Sequence, residues 1–311
     1  MYDMIRSCGV CQLAFKIAVG NLMITMTPSL AERIRDELDA LTASERKAGR
    51  ALLANYPLLG LETVAGFAAR AGVSSPSILR FISRIGFANY AEFQKRLRDE
   101  LEAQIQSPLT RKPARNRTST KTKRSSRPHH HAFADAVADN IRETFQHLPQ
   151  SEFDAVVRLL ADPKRPVHAL GGRFTDSIAR HMTAHLRILR PDVHHLEGQT
   201  PNWQDQVLDM SRKDVLILID VRRYQENLLR LAQGAAKRHA TIILLTDQWL
   251  SPIAVVAAHV LPVRIGVPSA WDSSSALMAV AEALIAEVTA GDWDRSQKRM
   301  AALEDLRDQS G

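Results

Sequence analysis

Hydrophobic residues follow two different patterns along the chain, and the change between them lies near the middle of the sequence. Between residues 26 and 106, apolar positions recur every three or four residues, as on one face of amphipathic helices. After residue 132, apolar runs such as DVLILID (214–220) and TIILLTD (241–247) alternate with amphipathic stretches. Runs of this kind are typical of buried parallel strands. The pattern therefore predicts an all-helical domain followed by a parallel-sheet α/β/α domain.

The clearest local pattern in the helical part is TVAGFAARAGVSSPSILRFISR, at residues 63–84. Thr63 is placed to cap a first helix, and Gly72 ends it because glycine adopts the left-handed conformation without steric cost. Ser74 is placed as the N-cap of a second helix, with Pro76 close to its first position. This order of helix, tight turn and helix is that of helix-turn-helix motifs, although ordinary helical hairpins share it.

The second helix has a polar face that is suited to nucleic acid. Its period buries apolar side chains and turns Ser75, Ser77, Arg80 and Arg84 outward, towards a groove. Residues 63–98 carry six Lys or Arg and a single acid, as phosphate contact requires. We expect six residues to contact double-stranded operator DNA: Thr63, Ser74, Ser75, Ser77, Arg80 and Arg84.

Helices on both sides of this motif complete the predicted domain. Thr42 and Glu45 form a capping-box pattern at the start of one helix, which Pro57 stops. After Gly86, the run FANYAEFQKRLRDEL predicts a further helix, with Tyr90, Phe93 and Leu97 facing inward.

The run AARAGVSSPSILRFISRIGFANYAEFQKRL resembles the N-terminal domain of the RpiR/MurR family of bacterial transcription regulators. Members join a helical DNA-binding domain to a C-terminal sugar isomerase (SIS) domain that senses a small ligand. The resemblance extends from residue 27 to about residue 290 of this chain. It implies a DNA-binding transcriptional regulator that binds a carbohydrate derivative and needs no cofactor.

In the C-terminal half, the alternation predicts strands at 167–170, 193–196, 214–220, 241–247 and 259–263. Helices are expected between them, including one that starts at Pro252 and a long, buried one across 271–288. The phrase LTDQWLSPIAVVAAHVLPV resembles the corresponding stretch of SIS domains.

Two loops depart from the SIS pattern. The first strand of these domains usually runs into a Gly-x-Gly-x-Ser-like loop, whereas this chain has GGRFTDS. The third strand usually runs into Ser-x-Ser-Gly-x-Thr, whose hydroxyls hold a sugar phosphate, whereas this chain has DVRRYQE. The phosphosugar signature is therefore absent.

Ligands of parallel sheets bind at the carboxyl ends of the strands, where this chain offers arginines, glycines and a serine run. Guanidinium groups bind carboxylate or phosphate, so a small anionic ligand is expected. Its predicted contacts are Gly171, Gly172, Arg173, Asp220, Arg222, Arg223, Thr246, Ser273, Ser274 and Ser275. Two alternatives stay open: Asp220 and Asp247 could neutralise the arginines in a salt-bridged loop, or the loop could form a subunit contact.

A sugar-phosphate isomerase is the alternative function, because SIS domains also occur in such enzymes. Isomerisation needs a base, and the candidates are His181, His185, His194, His195 and Glu197. The missing phosphosugar loop and the DNA-binding pattern both argue against an enzyme. We therefore expect no catalytic residues.

The net charge of +7 is concentrated in one segment. Residues 107–131 carry eight Lys or Arg and no acid, and they are nearly devoid of apolar residues, which predicts a disordered basic linker. The linker ends in His129–His131, for which no metal is expected. Residues 1–25 are an uncertain extension, and residues 291–311 are expected to form a C-terminal helix or tail.

The remaining expectations concern partners and location. Cys8 and Cys11 are the only cysteines, which fits a reducing cytoplasm, and a lone CxxC is weak evidence for a metal site. No apolar run is long enough to cross a membrane. Operators with two half-sites favour a homodimer or tetramer, which we expect the C-terminal domain to assemble.

Overall fold

The computed structural model describes residues 30–105, 129–198 and 200–308. The first of these ranges is helical throughout. Its helices are α1 (Leu30–Glu37), α2 (Ala43–Ala54), α3 (Leu58–Leu61), α4 (Val64–Ala71), α5 (Ser75–Arg84) and α6 (Tyr90–Ile105), with a 3-10 turn at Leu38–Ala40. The predicted extension 1–25 and most of the predicted linker lie outside the described residues.

The helical domain forms as its capping residues dictate. The capping box of Thr42 and Glu45 starts α2, and the Thr63 hydroxyl accepts the Gly66 N–H (3.1 Å) at the start of α4. Gly72, with φ +63°, ends α4 in the left-handed conformation. Phe67 of α4 and Phe81 of α5 meet edge to face in the core, with ring centroids 6.5 Å apart. The predicted helix, turn and helix are confirmed.

The C-terminal elements alternate between strand and helix. They are α7 (His129–His147), α8 (Gln150–Ala161), β1 (Val167–Gly171), α9 (Asp176–Leu189), β2 (Val193–His195), α10 (Thr200–Leu208), β3 (Val215–Asp220), α11 (Glu226–Lys237), β4 (Thr241–Asp247), a 3-10 turn (Pro252–Val255), β5 (His259–Val263), α12 (Ser275–Gly291) and α13 (Trp293–Asp308).

The five strands form one parallel sheet in the order β2-β1-β3-β4-β5. Alternate residues of β3 enter two separate cores: Val215 and Ile217 pack with α8, α9 and α12, whereas Leu216 and Leu218 pack with α10 and α11. A strand that is buried on both faces has to be apolar throughout, which explains the run DVLILID. The predicted α/β/α fold is confirmed.

Three elements differ from expectation. The helix predicted at Pro252 is only a 3-10 turn, because the Ala258 N–H already bonds to Ile242 O (2.9 Å) at the edge of β4 and the chain must turn back into β5. Helix α10 was not predicted, since TPNWQDQVL has little helical periodicity. Helix α7 begins at His129, inside the predicted linker, and Asn140 in its middle donates to Gly266 O (2.7 Å) in the C-terminal domain.

Candidate functional sites

Helix α5 presents one exposed face. Ile78, Phe81, Ile82 and Ile85 are buried in the core, as the sequence predicts. The exposed residues recur at helical spacing along the opposite side and are Pro76, Leu79, Arg80, Ser83 and Arg84. Leu79 and Ser83 were not among the predicted contacts, although their spacing from Arg80 and Arg84 could have identified them.

Ser77 does not face outward as expected. Its side chain is buried together with those of Ile78 and Phe81, because the buried face of α5 is wider than its four apolar positions suggest. The Ser77 hydroxyl accepts a hydrogen bond from Arg80 Nη2 (3.1 Å) and lies 2.9 Å from Ser74 Oγ. Ser77 therefore holds the Arg80 side chain from below.

The two other predicted serine contacts lie at the start of α5. Ser74 has the extended conformation of an N-cap residue, but its hydroxyl bonds to Ser77 and caps no helix N–H. Its side chain is exposed and that of Ser75 is half-buried. Both lie at the helix N-terminus, where backbone N–H groups favour an anion such as a phosphate.

Positive charge dominates this face. The Thr42 hydroxyl and the Thr42 N–H lower the pKa of Glu45, and the charges of Arg84 and Arg80 lower it further. Glu45 is itself buried at the start of α2 and tied into the capping box. Arg80 and Arg84 therefore lie close enough to Glu45 for their charges to favour its ionised form.

The carboxyl edge of the sheet is built around Gly171 and Gly172. The Gly172 N–H donates to the Thr175 hydroxyl (2.8 Å), which donates in turn to Ile219 O (2.6 Å). A Cβ on Gly171 would lie 2.4 Å from the Asp176 backbone nitrogen. These glycines allow the β1–α9 loop to pack closely against β3, so their role is structural.

Arg222 is part of this architecture as well. Its Nε donates to Asp272 Oδ2 (2.7 Å), a second guanidinium N–H donates to the other carboxylate oxygen, and the cation lies 4.5 Å from the Trp249 ring centroid. The side chain is only 2% exposed. The alternative of a salt-bridged loop is therefore realised at Arg222, with Asp272 as the partner in place of Asp220 or Asp247, and a ligand contact of Arg222 stays a prediction.

Two buried carboxylates, Asp220 and Asp247, lie at the ends of β3 and β4. Asp220 Oδ2 accepts the Ser251 hydroxyl (2.6 Å), and Asp247 accepts the Tyr224 hydroxyl (2.8 Å) and the Arg222 N–H (2.5 Å). Burial raises the pKa of each to about 6. Acids in this position repel an anion when they are ionised, so Asp220 is a poor contact for the predicted ligand.

Of the other residues predicted to contact the ligand, some are buried and some are exposed. Thr246 is buried and accepts the Ser251 N–H (3.0 Å), and Ser273 is buried against Ser275 (3.0 Å). Ser274 is exposed at the start of α12, and Arg173 and Arg223 are exposed on the loops after β1 and β3. The Arg173 guanidinium lies 5.3 Å from the Phe174 ring centroid.

Several residues that shape this edge were missed. Asp272, Trp249, Thr175 and Gln225 all make contacts across different loops, such as Gln225 Oε1 with the Arg173 N–H (2.6 Å). Only Thr175 carried a sequence signal, as a hydroxyl residue three positions after Gly172. The partners of the others lie far away in sequence, so no spacing rule identifies them.

Two histidines at the sheet are each paired with a carboxylate. His195 Nε2 lies 2.7 Å from Asp176 Oδ1, and His168 Nε2 lies 2.9 Å from Asp214 Oδ1. Within the described ranges no group of three or more His, Cys, Asp or Glu side chains could hold a metal ion. Among the helices of the same ranges, none has the length and apolar character to cross a membrane.

Known proteins match both domains. Residues 28–104 match the helix-turn-helix domain of the rpiR family, and residues 159–287 match the SIS domain. The chain is 26% identical over 248 residues to the HTH-type transcriptional regulator HexR of Escherichia coli K12, which covers 78% of this chain and 80% of HexR.

Two solved structures share the fold. One is the sugar isomerase domain of an RpiR transcription factor from Sphaerobacter thermophilus (22% identity, TM-score 0.52, 57% of this chain and 97% of that one). The other is Vibrio vulnificus NanR complexed with ManNAc-6P (14% identity, TM-score 0.51, 89% of this chain and 97% of that one). The helix-turn-helix domain, the SIS domain and the resemblance to HexR agree, and the chain belongs to the RpiR family of DNA-binding transcriptional regulators.

Proposed function

We propose that this regulator contacts operator DNA through the exposed face of α5 and through the N-termini of α4 and α5. Arg80 and Arg84 supply the base or phosphate contacts, since both guanidiniums are exposed one helical turn apart. Thr63, Ser74 and Ser75 lie at helix N-termini and are assigned to phosphate contact. Ser77 positions Arg80 and does not itself reach the DNA.

The main support for this assignment is Arg80, which is exposed on α5 and held in place by its hydrogen bond to Ser77. The test is the affinity of the full chain for duplexes that it enriches from a random-sequence pool. Arg80→Ala and Arg84→Ala should each weaken binding by about 1–3 kcal/mol. Arg238→Ala, which removes an exposed arginine of the C-terminal domain, is the matched control and should leave affinity unchanged. Full affinity in the Arg80/Arg84 double variant would contradict the assignment.

We further propose that the carboxyl edge of the sheet binds a small anionic carbohydrate derivative. NanR, whose structure holds ManNAc-6P, supports a phosphorylated sugar as the class of ligand. Arg173 and Arg223 are the proposed anion contacts, because they are exposed after β1 and β3, which are neighbours in the sheet. Ser274 and Ser275, at the start of α12, add hydroxyls and a helix N-terminus.

A thermal-shift screen of sugar phosphates, sugar acids and inorganic phosphate tests this proposal. The compound that stabilises the protein should lose its effect on the Arg173→Ala/Arg223→Ala variant, while DNA binding by the ligand-free variant is preserved. Arg238→Ala again serves as the control. Equal stabilisation of the double variant would move the ligand site elsewhere.

We propose that the chain acts as a homodimer or tetramer, so that two DNA-binding domains engage two half-sites and gain affinity through effective concentration. The ligand then shifts the population between arrangements of the subunits. Sedimentation of the full chain at micromolar concentration tests this, and a monomer in the presence of operator DNA would contradict it.

We infer a regulator without catalytic activity. Of the candidate bases, His195 has a side chain that is only 4% exposed, which keeps it from a substrate. His181 and His185 contact each other along α9, with ring centroids 4.4 Å apart. Incubation of the protein with the stabilising sugar phosphate, followed by analysis of the products, should show no isomerisation. Turnover that is lost in a His195→Ala variant would support the isomerase alternative instead.

A further inference from the structure

Leu79 is an exposed leucine in the middle of a face whose other exposed residues are Pro76, Arg80, Ser83 and Arg84. Its side chain is 48% exposed, whereas Ile78 before it and Phe81 after it are fully buried. Burial of a leucine side chain stabilises a protein, and the fold makes only partial use of this one. The residue lies on α5 between Pro76 and Ser83, at spacings of three and four residues on the same side of the helix.

The neighbours of Leu79 fix where it points. Arg80 is anchored by Ser77, and Arg84 lies one turn further along the helix, so the two guanidiniums form one stripe of the exposed face. Leu79 and Ser83 form the adjacent stripe. If α5 lies in the major groove, as the proposed function requires, the stripe of Leu79 and Ser83 lies against the same base pairs that the arginines approach.

The major groove offers one apolar group to such a side chain. Thymine carries a C5-methyl group there, and the other three bases present only hydrogen-bonding atoms and aromatic carbons. Leucine has no hydrogen-bonding group, so it cannot select guanine, adenine or cytosine by donor or acceptor pattern. We propose that Leu79 is a specificity-determining residue that reads thymine in the operator by burying the thymine methyl group.

The inference rests on the proposed DNA contact through α5, and a cycle between protein and DNA variants tests it separately. The full chain first enriches its own target from a pool of random duplexes. Each thymine of the target is then replaced by deoxyuridine, which removes the methyl group and leaves base pairing unchanged. At the thymine that Leu79 contacts, the loss of one buried methyl group should weaken binding about fourfold.

Protein variants complete the cycle. In Leu79→Ala, the same replacement of thymine should have no effect, because the methyl group has lost its partner. Leu58→Ala is the matched control, since Leu58 is a leucine of the same domain that is 68% exposed and lies outside α5. This variant should keep the fourfold effect. The exposed position of Leu79 predicts that its alanine variant keeps the wild-type melting temperature.

The outcomes separate the inference from the proposed function. A target whose binding is insensitive to deoxyuridine at every thymine overturns the role of Leu79, and so does an unchanged penalty in Leu79→Ala. Dissociation of the oligomer in Leu79→Ala, with no thymine effect in the wild type, identifies Leu79 as a contact with a second copy of the chain and also overturns it. Failure to enrich any sequence overturns the proposed DNA contact itself.

Discussion

Arginines stand at both candidate sites, and the two domains use them in opposite ways. On α5, Arg80 and Arg84 are both exposed, and one is held in place by Ser77. On the loop after β3, the adjacent Arg222 and Arg223 separate: the first is buried against Asp272 and Trp249, and the second is exposed. Residue type alone therefore says little about anion binding, and the backbone that carries the arginine decides its role.

The two sites also differ in the carboxylates that lie near their arginines. The face of α5 has Glu45 nearby, which is tied into a capping box. The edge of the sheet holds Asp220, Asp247 and Asp272, all from different loops or strand ends. A guanidinium at such an edge is neutralised by the protein itself, so only an arginine that reaches past these acids remains available for a ligand.

The largest expected effect is on the stability of the SIS domain, when the buried Arg222 is removed. Arg222→Ala leaves the Asp272 carboxylate without its cation and Trp249 without its stacking partner, and it should lower the free energy of unfolding by about 3 kcal/mol. Urea unfolding is followed by tryptophan fluorescence. All four tryptophans lie beyond residue 200, so this signal reports on the SIS domain.

The neighbouring arginine provides the control for that experiment. Arg223→Ala removes an exposed side chain and should change the free energy of unfolding by less than about 0.5 kcal/mol. The double variant Arg222→Ala/Asp272→Ala should be more stable than the sum of the two single changes predicts. Equal losses for Arg222 and Arg223 would remove the contrast between a structural and an open arginine.

The pH dependence of stability provides a second way to test the architecture of the edge. Asp220 and Asp247 keep their protons up to a pKa of about 6 in the folded state, against 3.8 when unfolded. The folded state therefore binds more protons between about pH 4 and pH 6, and stability falls as the pH rises through this window. At about 1.4 kcal/mol for each pKa unit, the rise from 3.8 to about 6 corresponds to a decline of about 3 kcal/mol due to Asp220.

Asp220→Asn isolates this contribution, because the amide does not ionise and its variant should show a flatter profile over that range. Asp176 and Asp214 of the same domain have lowered pKa values, so their stabilisation is lost only below about pH 4 and does not overlap the window. Urea midpoints at pH 4.5 and pH 7, read by tryptophan fluorescence, give the comparison. His194, whose pKa burial lowers, contributes in the opposite direction below pH 6.5, but it is common to both proteins. An Asp220→Asn profile no flatter than that of the wild type would therefore show that Asp220 is ionised throughout.

Sequence reasoning was most successful where the structure depends on neighbours along the chain. The caps at Thr42 and Thr63, the left-handed Gly72 and the apolar runs of β3 and β4 all follow from local rules. Ser77 was predicted to face outward but is buried, because a polar residue can lie at the margin of a buried helix face. The direction of every side chain on a helix is nearly fixed by its period, and that error was correspondingly small.

The side-chain contacts at the carboxyl edge of the sheet could not be predicted, because their partners are distant in sequence. The partner of Arg222 lies 50 residues away, and Asp220 meets Ser251 across 31 residues. Loop residues have no period, so neither the direction of Arg222 nor its partner could be inferred. The glycines at 171 and 172 were placed correctly at this edge, yet their role is close packing of backbone, as the clash of a Cβ on Gly171 shows.

A smaller effect is expected in the helical domain, where local interactions dominate. Thr42→Ala removes the hydroxyl that caps α2 and that also bonds to Glu45 (2.8 Å), and it should cost about 1 kcal/mol. Far-UV circular dichroism measures this loss, because the described helices of this domain contain no tryptophan. Thr63→Ala, which removes one exposed cap bond, should cost less. A loss in either variant as large as that of Arg222→Ala would contradict the difference between the two domains.

The smallest predicted effect concerns the arginine that the helical domain holds in place. Ser77→Ala removes the hydroxyl that accepts from Arg80, so Arg80 must lose more side-chain freedom when it meets DNA. Ordering one such side chain costs about 0.5–1.5 kcal/mol, and DNA affinity should fall by about 0.5–1 kcal/mol, less than in Arg80→Ala. Ser77→Ala in an Arg80→Ala background should have no further effect on DNA binding, because both changes act through one guanidinium. An additive loss in the double variant would mean that the Ser77 hydroxyl contributes to DNA binding by a route other than Arg80.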